Sequence, residues 1–438
     1  LTDQRDFDLI IAGAGPAGAA LAYRMAAGGA SVLLLEKQEA PARDRNWVVD
    51  VEEGCFSRAN IPFPTKDSLW KKPREHFLAT SDMQTMIEIE RVPLVSVKND
   101  LYIREVLNRA VNAGITLMCG REACSPILNR DCVVGLESRD SSGAKEKIYA
   151  RIVADCTGIN AALRTRTPDH WRMNESIEPE DVVFARREVR SVRKDLLSEE
   201  MICKPYRDGV RIDRSGARGP YSIESVFLDL KDLFVDILVG AKPDAGGKRT
   251  CAEMIDTIID KMPFTGEVLY GGEGPIPIRS PHNCPVGNGI ISIGDSAFQT
   301  VPIHGSGFAS AVIAAEIAAR NIIHALEIKR YDRKALWTYV SEFARGRGAL
   351  IAYYDVIRRN VDKMHPSDID RMIRAGIIGQ RETVTGLSVR PFPVSPVYLA
   401  GKIIRGYRHF PLLVRFGIAG VRAKMEYEKY RKYPKYYE

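Results

Sequence analysis

The chain has 438 residues, with 63 Lys and Arg against 56 Asp and Glu, a net charge of +7, and 45% hydrophobic residues. That length allows two or three domains with ample core, and the composition is that of an ordinary globular protein. The eight cysteines are scattered without C-x-x-C or zinc spacing, which excludes a metal or iron–sulfur site and points to reduced thiols in a cytoplasmic protein. No apolar run reaches the roughly 18 residues that span a bilayer, and no signal peptide is expected ahead of the first motif.

Phe7 to Ala12 is a short apolar run suited to a buried parallel strand. Gly13, Gly15 and Gly18 follow as G-x-G-x-x-G, with Pro16 and Ala17 opening a helix to Ala27. Gly13 permits a tight turn, Gly15 close approach of a pyrophosphate, and Gly18 close packing of helix on strand. The helix N-terminus faces the phosphates with free N–H groups. Ser31 to Leu35 is a second strand ending at Glu36 and Lys37, where a carboxylate accepts from ribose hydroxyls. This order predicts a bound adenine dinucleotide; the competing reading is a glycine turn in an ordinary βαβ unit.

Lys37 to Lys72 is irregular. Thr85 to Val97 alternates like a strand entering a sheet, and Asn99 to Asn112 has helical spacing. Ile115 to Met118 and Arg151 to Asp155 read as parallel strands, with a hairpin from Cys132 to Tyr149 between them. From Asp169 to Gly271 the pattern turns to β segments with a helix near Cys251 to Lys261, an inserted antiparallel sheet. Gly289 to Ile293 is again a buried strand, Ser306 to Leu326 a long helix rich in small residues, and Leu336 onward mostly helical.

Three motifs line up: the first glycine turn; Ala154-Asp-Cys-Thr-Gly158; and Gly294-Asp-Ser-Ala297 followed by Pro302-Ile-His-Gly-Ser-Gly307. Their order and spacing resemble the FAD-dependent fold shared by p-hydroxybenzoate hydroxylase, the flavin halogenases and the geranylgeranyl reductase family. Gly271 to Ala325, with Gly274-Pro-Ile-Pro277, is most similar to the last of these. The fold class implied is α/β, a Rossmann-like FAD-binding domain with an inserted antiparallel β-sheet substrate domain and a helical C-terminal region. The FAD-binding domain would take residues 1–84, 98–168 and 276–330, and 85–97 would enter the substrate sheet. Residues 169–275 would form the substrate domain and 331–438 the helical region with its tail.

The resemblance also implies roles. Asp295 would hydrogen-bond the ribityl chain or a pyrophosphate-linked hydroxyl, and Gly294 would let that chain approach. The turn from Pro302 through Gly305, Ser306 and Gly307 would place helix N–H groups at the flavin pyrimidine edge, where reduced flavin carries negative charge. Asp155 and Gly158 would help hold the dinucleotide, and Lys98 stands where the family has an arginine on the cofactor. The bland readings are a turn aspartate, a strand end and a solvated lysine.

No second dinucleotide fold follows, so an external donor (NAD(P)H, ferredoxin or another flavoprotein) would reduce the flavin. The halogenase W-x-W-x-I-P pattern is absent, since Trp47, Trp70, Trp171 and Trp337 are isolated. The reductases' Y-x-W-x-F-P stretch is also absent; Tyr221 to Phe227 occupies that region, and Cys55 roughly that of their loop cysteine. Candidate catalytic groups are His304 for proton delivery, Cys55 and Tyr221, each set against a structural role. The expected activity is reduction of double bonds in an apolar, isoprenoid-like substrate. The alternatives are a monooxygenase on an aromatic or polycyclic compound and a non-catalytic flavin-binding partner protein.

Gly401 to Glu438 holds ten Lys and Arg and three Glu, the whole net charge, leaving the first 400 residues neutral. Aromatic and aliphatic residues are interleaved there. The tail suits peripheral contact with the inner face of an anionic membrane, or a docked helix with a basic face. No nucleic-acid recognition fold is visible.

Overall fold

The structure is a computed structural model that describes residues 6–41, 46–197, 206–216, 219, 221–242, 247–393 and 396–437. Cys203 lies outside them; the other seven cysteines are free thiols.

Short apolar stretches build the first sheet because their residues are buried on both faces. Its order is Val286–Gly287, Ile290–Ser292, Lys145–Asp155, Phe7–Ala12, Val32–Leu35, Thr116–Met118. The long strand Lys145–Asp155 does two jobs. Its first half pairs antiparallel with Cys132–Asp140, and its second half runs parallel to Phe7–Ala12. The register puts Ala12 opposite both Leu35 and Asp155, and Asp155 opposite Ser292. The strands carrying the motifs therefore end level, and their turns leave from one edge, where open α/β sheets hold ligands.

Helices Pro16–Ala26, Asn99–Asn112 and Phe308–Glu327 cover one face of this sheet, meeting Leu9, Ile11, Leu34 and Ile152. On the other face Ile10, Leu33 and Val153 pack with Val133, Leu136 and Ile148 of the hairpin strands. Phe308–Glu327 corrects one sequence expectation. With mean hydropathy 1.3 over its apolar window it is long and apolar enough to cross a membrane, yet 72% of that window is buried in the protein. Its alanines bring it close to Pro16–Ala26, so it is the central core helix.

The second sheet has seven strands, ordered Thr265–Pro277, Val182–Val192, Phe234–Ala241, Ser222–Asp229, Val210–Ser215, Glu75–Ala79, Met86–Glu88. Helix Gly247–Asp260 seals its outer face through Cys251, Met254, Ile255 and Ile258. Glu75–Ala79 joins this sheet ahead of the expected boundary at residue 85. The stretch 85–97 is also divided rather than continuous. Only Met86–Glu88 edges the sheet, while Leu94–Lys98 pairs antiparallel with Val48–Glu52. Arg91 at φ +54° and Pro93, which has no N–H to give a ladder, separate the two pieces.

The C-terminal region is helical from Arg333 onward. The last helix, Phe410–Arg431, buries Ala419, Ala423 and Tyr430 against the body. The chain then returns to the first helix of this region: the Tyr437 ring lies 5.1 Å from Trp337, and Arg333 Nη1 donates to Tyr437 Oη at 2.8 Å. One face of the basic tail is thus docked, and the other faces solvent.

Candidate functional site

The cleft at the level strand ends is one cavity of about 1750 Å³. Gly13, Gly15, Pro16, Ala17, Glu36, Lys37, Gly158, Gly294 and Asp295 line it, as do Tyr221, His304, Gly305, Ser306 and Gly307. The first and third motifs touch: a Cβ on Gly294 would lie 3.1 Å from the Ala17 Cβ. Gly13, at φ +99°, has no room for a side chain, since a Cβ would sit 2.5 Å from the Cys156 carbonyl oxygen. Gly18 is outside the cavity wall and packs helix on turn; its Cβ would fall 1.9 Å from the Gly13 oxygen.

Two helices point N-termini at this cavity, Pro16–Ala26 behind Gly15 and Phe308–Glu327 behind Gly307. Neither has a side-chain cap or an acidic residue in its first turn. Their first N–H groups are left for a ligand, and both ends favour negative charge. Glu36 is tied to the turn, with Oε2 accepting from Ala14 N at 2.8 Å and Oε1 from Gln38 N at 3.1 Å. Its carboxylate keeps acceptor capacity at the cavity wall. Asp295 faces the same space, with Oδ1 accepting from Thr300 Oγ1 at 2.9 Å. These residues fit an elongated anionic dinucleotide with polar hydroxyls along its length.

Four expected contacts are corrected. Asp155 is fully buried and away from the cavity. Its Oδ1 accepts from Thr157 N and Oγ1, and its Oδ2 from Leu163 N at 3.0 Å and Arg164 N at 2.7 Å. It shapes the turn that presents Gly158. Lys98 places Nζ 5.4 Å from the centre of the Trp70 ring, outside the cavity; Asn99 lines it instead. Cys55 is fully buried away from the cavity, and burial first, then Glu52, pushes its thiol up to about 12. It is a packing thiol, not a proton donor. Pro302 is likewise behind the wall, and its carbonyl accepts the Tyr221 hydroxyl. That bond ties the substrate sheet to the loop that carries His304. Burial raises the Tyr221 hydroxyl above its ordinary value.

At His304, Nδ1 accepts from Ser306 N at 3.2 Å, which assigns the ring proton to Nε2. Nε2 is buried without a partner among the described residues. Burial pushes this imidazole down to about 4, so it is neutral at pH 7. It is suited to hydrogen bonding and not to holding a proton in reserve.

Sequence reasoning missed a row of charged side chains across the cavity floor. Arg187 holds Asp236 through Nε at 2.8 Å and Nη2 at 2.7 Å, and reaches Asp50 through Nη1 at 3.1 Å. Arg211 Nη1 also donates to Asp50, at 2.9 Å, and its Nε to Asp213 at 3.0 Å. His76 Nε2 lies 2.7 Å from Asp213 Oδ2. Burial alone would raise Asp50 and Asp213, but the guanidiniums prevail and hold both well below the usual carboxylate range. The available signal was charge inside β-rich segments, as in Phe184-Ala-Arg-Arg-Glu-Val189.

Beyond this row the cavity becomes apolar, walled by Ile357, Val361, Met372, Ile373, Leu413 and Phe416. Ile403, Phe410, Val414 and Val421 both line it and are exposed, so it opens on the outer face of the C-terminal helices.

The family described as "Lycopene cyclase protein" matches residues 8–174, the part holding the first two motifs. Digeranylgeranylglycerophospholipid reductase of Sulfolobus acidocaldarius is 26% identical over 98% of this chain and 94% of its own length. A protein of that name from Methanopyrus kandleri is 24% identical over 75% of this chain and 85% of its own. Among solved structures, a geranylgeranyl bacteriochlorophyll reductase-like protein from Thermoplasma acidophilum superposes with a TM-score of 0.72 at 15% identity, over 93% of this chain and 98% of its own. The myxobacterial chondrochloren halogenase, an FAD-dependent enzyme, gives 0.62 at 15% identity, over 96% and 97%. A parallel sheet with a glycine turn, an inserted antiparallel sheet and a shared cleft define the class: this is the fold of FAD-dependent oxidoreductases, p-hydroxybenzoate hydroxylase-like. Within it, the chain is similar in sequence, over nearly its whole length, to the Sulfolobus digeranylgeranylglycerophospholipid reductase.

Proposed function

We propose that this protein binds FAD and reduces double bonds of an isoprenoid lipid. The observation that carries this is the continuity of one cavity, from a dinucleotide cradle to an apolar chamber that opens on an apolar face. The names of the relatives from Sulfolobus and Methanopyrus support the substrate class.

FAD, when bound, supplies two-electron chemistry as hydride transfer. Gly13, Gly15 and the first turn of Pro16–Ala26 would hold its pyrophosphate, Glu36 the adenosine ribose, and Gly294 and Asp295 the ribityl side. Gly305 to Gly307 and the Phe308–Glu327 N-terminus would offer N–H groups where negative charge gathers on reduction. The apolar chamber aligns an extended chain, and the proton that joins the hydride in completing each saturated bond comes from solvent at the polar end of the cavity. His304, neutral, orients through Nε2–H. Electrons come from an external donor, a nicotinamide, ferredoxin or flavoprotein. The outer face of the last helices would rest on an anionic lipid surface, so that substrate enters from the bilayer.

The test is anaerobic turnover of dithionite-reduced holoprotein with a geranylgeranyl lipid, read by mass spectrometry. Gain of two hydrogens per double bond without O₂ is expected. A strict requirement for O₂ with oxygen incorporation would replace this reading with a monooxygenase. Protein purified without flavin absorbance, and unable to take up added FAD, would remove it.

A further inference from the structure

In a cavity meant only for hydrocarbon, a charged floor has no purpose. The row Asp236, Arg187, Asp50, Arg211, Asp213, His76 crosses several strands of the seven-stranded sheet, with Asp50 reaching in from Val48–Glu52 to bridge the two arginines. It sits next to the flavin-side loop, since Ser306 Oγ donates to the Asp50 carbonyl oxygen at 3.4 Å. Arg187 is 4% exposed, and Nε, Nη1 and Nη2 are all engaged. Arg211 differs. Its Nε is on Asp213 and its Nη1 on Asp50, while Nη2 makes no hydrogen bond among the described residues, and the side chain keeps 13% of its surface exposed. Its guanidinium is fixed on two sides and lines the cavity with the third.

We propose that Arg211 Nη2 is a hydrogen-bond donor to a neutral oxygen of the substrate, an ether, alcohol or carbonyl oxygen carried near the reacting end of the isoprenoid chain. The argument for a neutral acceptor is charge. Asp236, Asp50 and Asp213 set three negative charges against the two guanidiniums, so the row offers no net positive charge to a phosphate. The argument for an acceptor at all is desolvation. An apolar ligand laid over Nη2–H strips its water and returns nothing, whereas an oxygen at that point restores the bond. Both carboxylates already grip the guanidinium, so little is lost in ordering it. This deepens the proposed reductase by giving its substrate a polar anchor point, and it rests on that reading.

The test is equilibrium binding to FAD-loaded protein of unreactive saturated probes, phytanol, its methyl ether, phytanyl phosphate and phytane, read by the change in flavin absorbance. The alcohol or the ether should bind about tenfold more tightly than phytane, and the phosphate no more tightly than either; the better of the two identifies the oxygen. Arg211→Lys keeps a charge between Asp50 and Asp213 but has one nitrogen where the guanidinium has three, so it should lose the preference and bind phytane as before. Gly29→Ala, outside the cavity and with open space for its methyl, should keep it and serves as the control for substitution as such. Equal binding of oxygenated probes and phytane to the parent protein overturns the anchor and leaves the reductase standing, and so does preference for the phosphate. Binding of none of the four instead removes the isoprenoid reading.

Discussion

Arg347 grips Glu52 with two nitrogens, Nη1 at 3.0 Å and Nη2 at 2.5 Å, across 295 positions of sequence. Arg347 sits in the π-helical turn Ala344–Gly348, whose extra residue rotates it inward, and its Nε is fixed by Ser310 Oγ at 2.9 Å. Glu52 lines the cavity near His304. The pair therefore ties the C-terminal helices to the wall beside the flavin-side loop. Arg347→Met leaves a mostly buried carboxylate without its main partner, and a loss of about 3 kcal/mol in urea unfolding is expected. Arg347→Lys, which keeps a charge but not the fork, should lose less.

The glycine cradle makes a sharper prediction. Gly13→Ala and Gly18→Ala place a methyl 2.5 Å and 1.9 Å from backbone oxygens, which cannot move aside as a side-chain tip can. Each should cost about 1–3 kcal/mol. Each should also purify with little bound flavin by absorbance. Gly29→Ala is the comparison: its φ is also positive, at +68°, but a Cβ there meets nothing within 4 Å. Its flavin content should match the parent's.

These two predictions divide along what sequence reveals. The cradle was legible because a dinucleotide turn imposes local spacing: strand, Gly13, Gly15, Gly18, helix, Glu36. The level ends of Phe7–Ala12 and Lys145–Asp155 follow from the same local rules. The Glu52–Arg347 pair and the Asp50–Arg187–Arg211 row were not legible. Each joins residues from segments that pair only in three dimensions, and a charge in a strand looks solvated until its partner is known. Asp155 misled for a related reason. An acid at a strand end beside a glycine turn can face the ligand or brace the turn, and only the donors from Leu163 and Arg164 decide. Thr85 to Val97 misled because alternation continues through a bend at Arg91 and Pro93.

Acid should act on the fold in two separable windows. Burial lowers His304 to about 4, below the ordinary histidine value of about 6.5. The unfolded chain thus takes up this proton first, and stability falls as pH drops from about 6.5 through about 4. Asp50, Glu52 and Asp213 are depressed carboxylates. Their contribution is full above the unfolded carboxylate values near 4, and it is lost as pH falls through their lower folded values. Urea midpoints measured from pH 7 to pH 4.5 should therefore decline in the parent and decline less in His304→Gln. Below pH 4 both proteins should lose stability in parallel. Identical slopes above pH 4.5 would place the His304 proton elsewhere.

Cys55 tests the corrected assignment. With its thiol pushed up to about 12 and no exposed surface, it should resist iodoacetamide at pH 8 while the half-buried Cys119 and Cys124 react faster. Cys55→Ala should retain turnover within about twofold and lose stability through a small cavity alone. A loss of turnover at unchanged stability would restore Cys55 to the reaction.

The outer face of the C-terminal helices gives the last prediction. Ile404, Tyr407, Val421 and Met425 are 73, 62, 62 and 68% exposed, and Arg405, Arg408, Arg422 and Lys424 stand exposed among them. Apolar side chains this open are costly in water unless something covers them, and cations around them favour an anionic lipid surface. Removing the whole tail would be a poor test, because Ala419, Ala423 and Tyr430 pack into the body and Tyr437 is clamped by Arg333. Ile404→Glu with Val421→Glu alters only exposed positions. This variant should keep the parent's unfolding midpoint and flavin content. Flotation with phosphatidylglycerol vesicles should fall at least fivefold, while the parent's should weaken with added salt as the cations are screened. Retained flotation would mean that the lipid surface is met by another part of the molecule, and retained turnover on vesicle-borne substrate would mean that entry through this mouth is not required.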